Sequence, residues 1–478
     1  IGWQNSPPVT FTYGNLGFRE YNADIITILK RLYFDDFGRF LDDVVEHFDT
    51  EGIHFKYISP LNEPQYEWGP SQEGGTVSSE GSPWTNQDIF DVVSNINDEF
   101  INREILTKIF IAEAGAITHL LSGQGHADNQ LYCFWDQGSS LCLANKSSVA
   151  DIISYHSYWS DYSSNSIISE RETLYSTVQA TDNTLRIWQT EYSLLGDGYK
   201  YNCSTSQSLS EIDCALSAMR ILMSDINVAN ISAWQWWTTF ETGKFYGESR
   251  FSLIEAITNN DKNDGIYHLN KLFYSYGHIS HFVRPGMHRV GLTRSDMLSD
   301  KDACTGLMLT SFVNHDEDIL IVVAVNHEYI ARHISISLSN RCNKKLENLA
   351  FYLTDKYNNI EKQNTGFDPN SIVIPARAVV TLTFDLSVSA SINKTDNDKN
   401  IMSTFYNSIN NEIVINVDNS EEYNSFEIFT LGGQLMKTKT ANYNNRIIFD
   451  ATDFSNGVYL VIARRNNSVE SKKIFVIK

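Results

Sequence analysis

The strongest constraint on the fold is a repeated alternation. Five short runs rich in β-branched and aromatic residues, Phe55–Ser59, Lys108–Ala112, Asp151–His156, Leu185–Gln189 and Ile231–Trp236, are separated by longer segments. Among those segments Asp36–Phe48, Asn86–Phe100 and Cys214–Ile226 carry apolar residues three and four apart, the period of a helix with one buried face. Repeated strand–helix units with buried strands predict a parallel sheet, and their number predicts an α/β fold of the (β/α)8 barrel type. Asn86, ahead of Asp88 and Ile89, is the expected cap of its helix.

A chain of 478 residues exceeds what one core serves, so two or three domains are expected. The barrel pattern occupies residues 1–283. Across 284–386 the runs Ile319–Asn326, His333–Leu338, Leu349–Leu353 and Ala378–Phe384 alternate or are β-branched, which predicts a side β-sandwich. Residues 387–400 close with Thr395-Asp396-Asn397-Asp398-Lys399-Asn400 and read as a polar linker; the ligand spacing and central Gly of a calcium loop are missing. Residues 401–478 hold short strands, among them Ile413–Val417, Phe426–Phe429, Arg446–Phe449, Val458–Ala463 and Lys473–Ile477, and predict a small C-terminal β-sandwich. Eight basic and eight acidic residues cancel there, so the whole net charge of −21 lies upstream. That acidity argues against nucleic acid as a partner. No apolar run reaches the roughly 18 residues of a membrane span.

Six cysteines fall as neighbours in sequence: Cys133 with Cys142, Cys203 with Cys214, and Cys304 with Cys342. Pairing would imply an oxidising compartment, though six cysteines allow about 15 connectivities. None of the spacings is that of a zinc site. His126 near Asp128 is an isolated pair, and His278 and His281 share one side of a helix, so neither a metal nor a cofactor is expected.

Two strand runs end in acids. Phe55–Ser59 leads into Leu61-Asn62-Glu63-Pro64, and Leu185–Gln189 into Thr190-Glu191-Tyr192. C-terminal strand ends of a parallel barrel face its active site. Two carboxyl groups across one bond are what glycoside hydrolysis requires, and strands distant in sequence can face each other across the barrel mouth. The competing reading is that each Glu caps the helix after its strand. Between the two acids, Ile153–Trp159 places His156 and Tyr158 on one face, positioned to orient Glu191 or to meet substrate. A buried histidine satisfied by a backbone carbonyl is the alternative there. Asn62 beside Glu63 suits a sugar hydroxyl. The Trp234, Trp236 and Trp237 cluster is expected to floor a sugar subsite, with one of the three belonging to the core. Phosphate loops, dinucleotide fingerprints, Gly-x-Ser-x-Gly elbows and His-Glu-x-x-His motifs are missing from the sequence.

Asn62-Glu63-Pro64 and Thr190-Glu191, in this strand order, resemble clan A retaining glycosidases, and closest of these glycoside hydrolase family 30. Asn5-Ser6-Pro7-Pro8 resembles that family's third-strand motif and Ser59–Gln65 its fourth. Phe282-Val283-Arg284-Pro285-Gly286 with Arg289-Val290 resembles its passage from the last barrel helix to the side β-domain. The resemblance implies Glu63 as acid/base, Glu191 as nucleophile, and a β-linked polysaccharide or oligosaccharide as substrate. It implies Asn62 on the neighbouring hydroxyl, with Trp68, His156, Tyr158, Trp234, Trp236 and Trp237 in binding. Gln65-Tyr66-Glu67-Trp68 resembles endo-β-1,6-galactanase-like members most. Other family specificities (β-1,6-glucanase, xylanase, glucosylceramidase) share the core motifs, and a non-catalytic carbohydrate-binding relic is the reading from another class. If Asn5–Pro8 ends the third strand, the first two strands precede residue 1; a fragment of this kind is expected to be poorly soluble or inactive alone. Residues 401–478 resemble the sorting domain of the type IX secretion system, through Phe429–Gln434, Asn456–Val461 and Lys472-Lys473-Ile474. That implies the type IX machinery as a partner and export from a Bacteroidota-type cell, to the medium or the cell surface.

Overall fold

Apolar residues of helix α1 (Phe34–Thr50) recur at Phe34, Phe37, Leu41 and Val45, and all four are buried. Helix α2 (Asn86–Asn102) repeats the pattern with Ile89, Val92, Val93, Ile96 and Phe100. Its N-cap is Thr85, whose hydroxyl accepts the Asp88 N–H at 3.0 Å, one residue before the expected Asn86. Asn86 instead donates its side-chain amide to the Asp128 carbonyl at 2.6 Å.

The computed structural model describes residues 6–77, 79–122, 125–195, 211–242, 252–259, 263–339, 344–363, 368–388, 402–407, 410–417, 423–430, 433–440, 445–465, 469–476 and 478. Two compact units divide the chain, Ile1–Val388 and Ser389–Lys478. In the first, strands β1 (Tyr57–Ile58), β2 (Lys108–Ala114), β3 (Val149–His156), β4 (Arg186–Glu191) and β5 (Ala233–Trp234) hydrogen-bond in chain order, all parallel. Helices α2, α3 (Ile117–Leu121), α4 (Gln130–Trp135), α5 (Ser164–Thr181) and α6 (Glu211–Asn227) fill the connections. Ile58, Ile109, Ile111, Ile153 and Ile187 pack with α1 and α2 into one core. The result is a curled half-barrel of the (β/α)8 type, with every strand pointing its C-terminal end the same way. A further sheet of β6 (Phe240–Thr242), β7 (Ile254–Thr258) and β8 (Gly265–Leu269), with no counterpart among the expected strands, precedes α7 (Lys271–Ser280).

Beyond α7 an antiparallel six-stranded sheet runs in the order Glu361–Lys362, Lys344–Thr354, Ala378–Val388, Ile319–Asn326, Leu307–Val313, His288–Arg289. Alternation along Ile319–Asn326 serves two cores: Ile321, Val323 and Val325 face α6 and α7, while Leu320, Val322 and Ala324 pack on the far side. The expected strand His333–Leu338 is shorter, Arg332–Ile334, and pairs with Ile372–Ile374.

His278 of α7 joins this sheet, fully enclosed, with Nδ1 at 2.7 Å from the Thr381 hydroxyl and Nε2 at 2.9 Å from that of Thr354. Burial pushes its pKa down to about 3, so the ring stays neutral and uses one donor and one acceptor nitrogen. A histidine whose folded pKa lies below its unfolded value of about 6.5 gives its full stability above that pH and loses it as pH falls toward 3. The urea-unfolding free energy of the wild type is therefore expected to fall below pH 6.5 more steeply than that of His278→Gln, by up to about 1.4 kcal/mol per pH unit. Equal slopes for the two proteins would contradict this assignment.

The second unit has a three-stranded sheet (Met402–Asn407, Glu412–Val417, Arg446–Asp450) and a four-stranded one in the order Leu435–Thr440, Ser425–Thr430, Gly457–Arg464, Val469–Val476. Ile413, Ile415 and Val417 from one, with Phe426, Ile428, Val461 and Ala463 from the other, share its core. Most of the expected linker, residues 389–400, lies outside the described residues.

Two of the three expected cysteine pairings are overturned. Cys133, Cys142 and Cys304 are free thiols. The Cys133 sulfur accepts from Asn86 Nδ2 at 3.3 Å, and burial together with Asp128 raises its pKa, which suppresses the thiolate that pairing needs. Cys304 is fully enclosed, with its thiol likewise pushed up by burial; Cys342 lies outside the described residues. Cys214 is disulfide-bonded, and its expected partner, Cys203, also lies outside them.

Candidate active site

Each acid is held by the backbone of its own strand end. Glu63 follows β1 in a left-handed conformation (φ +41°), a strained state for a residue with a side chain. Its N–H donates to the Glu113 carbonyl at 2.9 Å, and its own carbonyl accepts from Tyr66 N at 3.0 Å and Trp68 Nε1 at 3.0 Å. Gln65 donates to Ala127 O and Gln130 Oε1, tying the same loop to the start of α4. Gly115 approaches so closely that a Cβ there would lie 3.3 Å from the Glu63 carboxyl carbon. Glu191 closes β4, where its carbonyl accepts the Ser157 N–H at 3.2 Å. Neither acid caps a helix: α2 is capped by Thr85 and α6 begins at Glu211.

The two acids meet around His156. One donor atom each from Glu63, His156 and Glu191 all lie within 4.8 Å of one another. His156 Nδ1 is 2.8 Å from Glu63 Oε1, and its Nε2 is 3.5 Å from Glu113 Oε2. Its partners are thus carboxylates rather than a backbone carbonyl. Tyr158 donates its hydroxyl to Glu191 Oε1 at 2.9 Å. Asn62 stands half-buried beside Glu63.

Burial opposes charge on His156, but Glu191, Glu113 and Glu63 outweigh it and hold the imidazole well above its ordinary pKa. Burial, with Glu63 adding to it, raises the Glu191 carboxyl, against the pull of His156 and Tyr158. Burial and the two acids also push the Tyr158 phenol well up, so it remains a hydrogen-bond donor. The spacing of Glu63, His156 and Glu191 would admit a metal ion. An imidazolium, however, offers protons on both nitrogens and no lone pair, and suits ionic hydrogen bonds better.

Glu113 is the acid that reading the sequence missed. It sits within β2, just before the strand's last residue, with φ +52°, is 4% exposed, and accepts from the Thr190 hydroxyl. Its place in Lys108–Ala114 near a strand end was the available signal. The aromatic residues divide. Trp237 donates its backbone N–H to Tyr192 O at 3.0 Å, beside Glu191. Trp234 and Trp236 stack on each other at 6.0 Å and pack into the cores around α6 and α7, with Trp234 Nε1 donating to Asp225 at 2.9 Å. Trp68 is buried, and its indole N–H holds the Glu63 backbone.

A parallel β/α half-barrel that presents paired carboxylates at its C-terminal strand ends, joined to a side β-sheet, fits the class of O-glycosyl hydrolases. The sequence profile of O-glycosyl hydrolase family 30 matches residues 1–248, and the chain belongs to that family. A conserved exported protein from Bacteroides fragilis is 26% identical, with a TM-score of 0.69 over 79% of this chain and 74% of that one. A family 30 subfamily 8 xylanase from Clostridium acetobutylicum shares the fold at 18% identity, TM-score 0.54, over 80% and 78%. An endo-β-1,6-glucanase shares it at 15% identity, TM-score 0.50, over 80% and 70%. No curated protein sequence matches the chain. Residues 403–478 match the secretion system C-terminal sorting domain, which marks the protein for secretion through the type IX system. Among the described residues no helix is long and apolar enough to cross a membrane.

Proposed function

We propose that this glycoside hydrolase cleaves a β-linked polysaccharide by double displacement with retention, with β-1,6-linked galactan as the favoured substrate. The observation that carries the mechanism is that one carboxylate oxygen of Glu63 and one of Glu191 lie within 4.8 Å of each other. Retaining enzymes hold their two carboxyl groups about 5–5.5 Å apart, whereas inverting ones need about 6.5–9.5 Å to admit a water. Glu191 attacks the anomeric carbon while Glu63 passes to the departing oxygen a proton drawn from His156, whose Nδ1 lies 2.8 Å from its carboxyl. Water then opens the glycosyl ester and Glu63 takes the proton back. His156 bridges Glu63 and Glu113 through its two ring nitrogens, which orients the acid and offsets the charge of the cluster. Tyr158 occupies one oxygen of Glu191 and leaves the other for attack. Asn62 takes the hydroxyl next to the reacting carbon, and Trp237 borders the same sugar.

Galactan is favoured by the Gln65-Tyr66-Glu67-Trp68 continuation. The β-1,6-glucanase and xylanase of like fold make glucan and xylan the second reading. Incubation of the purified full-length protein with β-1,6-galactan, β-1,6-glucan and β-xylan, with NMR of the first-formed ends, tests both. Galactan fragments whose new ends are initially β are expected. Initially α ends would overturn retention, and faster cleavage of either other polymer would replace galactan.

A further inference from the structure

Trp159 takes no part in the steps above, yet it stands on the same rim. It is 43% exposed and held in a left-handed backbone conformation (φ +56°). Buried bonds fix the turn on either side: Ser160 donates to Ser157 O at 2.7 Å, and Arg171 Nη1 donates to Ser160 Oγ at 3.2 Å. A large apolar ring is thus presented to solvent by a rigid support. Its centroid lies 5.9 Å from that of Tyr158 and 6.1 Å from that of His119 in α3. Nδ1 of His119 is buried without a hydrogen-bond partner. Burial lowers the pKa of this ring against the charge of Glu63, which keeps it neutral.

We propose that Trp159 is the platform of a further sugar subsite beside the catalytic one, taking a pyranose unit of the β-linked polysaccharide that neighbours the sugar under attack. The assignment rests on reading Glu63 and Glu191 as the catalytic pair. Tyr158 touches both Trp159 and Glu191, so the exposed indole stands one ring away from the nucleophile. The flat indole matches the C–H face of a pyranose, and His119 backs it from the other side.

Trp159→Ala and Trp159→Phe test this against two substrates: whichever of β-1,6-galactan, β-1,6-glucan and β-xylan the wild type cleaves fastest, and the glycosyl fluoride of the same sugar. Fluoride is too small to reach Trp159. Trp159→Ala is expected to lower kcat/KM on the polysaccharide by about tenfold or more, with the fluoride within about twofold, and Trp159→Phe to recover most of the loss. Equal losses on both substrates, or none on either, would overturn the subsite. Retention of the three polysaccharides in affinity electrophoresis is the parallel readout, made on the catalytically silenced Glu63→Gln protein. Adding Trp159→Ala should weaken it, and unchanged retention counts against the subsite even if the catalytic reading stands. A wild type that cleaves none of the three while Trp159→Ala still weakens retention would fault the catalytic reading alone. Neither cleavage nor retention overturns both.

Discussion

Alanine at position 191 is expected to reduce kcat by about 10⁴-fold or more on every substrate, because loss of a nucleophile removes the covalent step itself. Glu63→Ala should behave differently. It is expected to cost about 10²–10⁴-fold on the polysaccharide, roughly 3–5 kcal/mol, and much less on an activated aryl glycoside whose leaving group needs no proton. Azide separates the roles further. In Glu191→Ala it enters from the face the carboxylate vacated and gives an α-glycosyl azide. In Glu63→Ala it intercepts the glycosyl-enzyme from the opposite face and gives the β anomer. The geometry fits this division: Tyr158 anchors one oxygen of Glu191, whereas Glu63 lies 2.8 Å from the His156 ring nitrogen that can hand it a proton. Near wild-type turnover of the polysaccharide by Glu63→Ala, or identical azide products from the two variants, would reverse the assignments.

Asp225→Ala is expected to destabilise the larger unit by about 3–5 kcal/mol, the usual result of removing one partner from a buried ion pair. Asp225 and Arg171 are both fully enclosed, and Nε of Arg171 lies 2.6 Å from the carboxylate. Tyr155 at 2.7 Å, Ser157 at 3.0 Å and Trp234 at 2.9 Å also donate to it. One carboxylate thereby satisfies groups from β3, the turn after it, α5 and β5. Its removal strands a guanidinium and three further donors in a low-dielectric interior, where each unmade bond is costly. Urea unfolding followed by tryptophan fluorescence reads this unit alone, since all nine tryptophans lie between Trp3 and Trp237. A loss under about 1 kcal/mol would mean that water replaces the carboxylate, and the network would lose its structural role.

The sheet and its acids were legible for a simple reason. Strands buried on both faces must be nearly all apolar, so a polar Asn62-Glu63 or Thr190-Glu191 at the end of such a run stands out. Helices α1, α2 and α6 were equally plain, α1 and α2 from one apolar stripe each and α6 from apolar residues that leave it buried nearly all round. Helix α5 was not, because Ser164–Thr181 is dominated by polar and β-branched residues and buries only a few apolar ones, with Arg171 among its buried positions. β6–β8 were missed as well: Gly265–Leu269 is exposed at most of its positions, which leaves no alternation to detect. Trp234 and Trp236 show the limit for the site. Alternation places them on one face, but nothing local says that this face meets α6 and α7.

The order of its strands, the two acids at the strand ends and the family they belong to were written in the chain's linear sequence, since backbone periodicity and local punctuation are short-range properties. The convergence of Glu63, Glu191, Glu113 and His156, the turning of Trp234 into the core, the free state of Cys133 and Cys142, and the support that holds Trp159 at the rim were settled only by packing. Each depends on the distance and dielectric between groups far apart along the chain, and burial and charge acquire a value only once the sheet has curled.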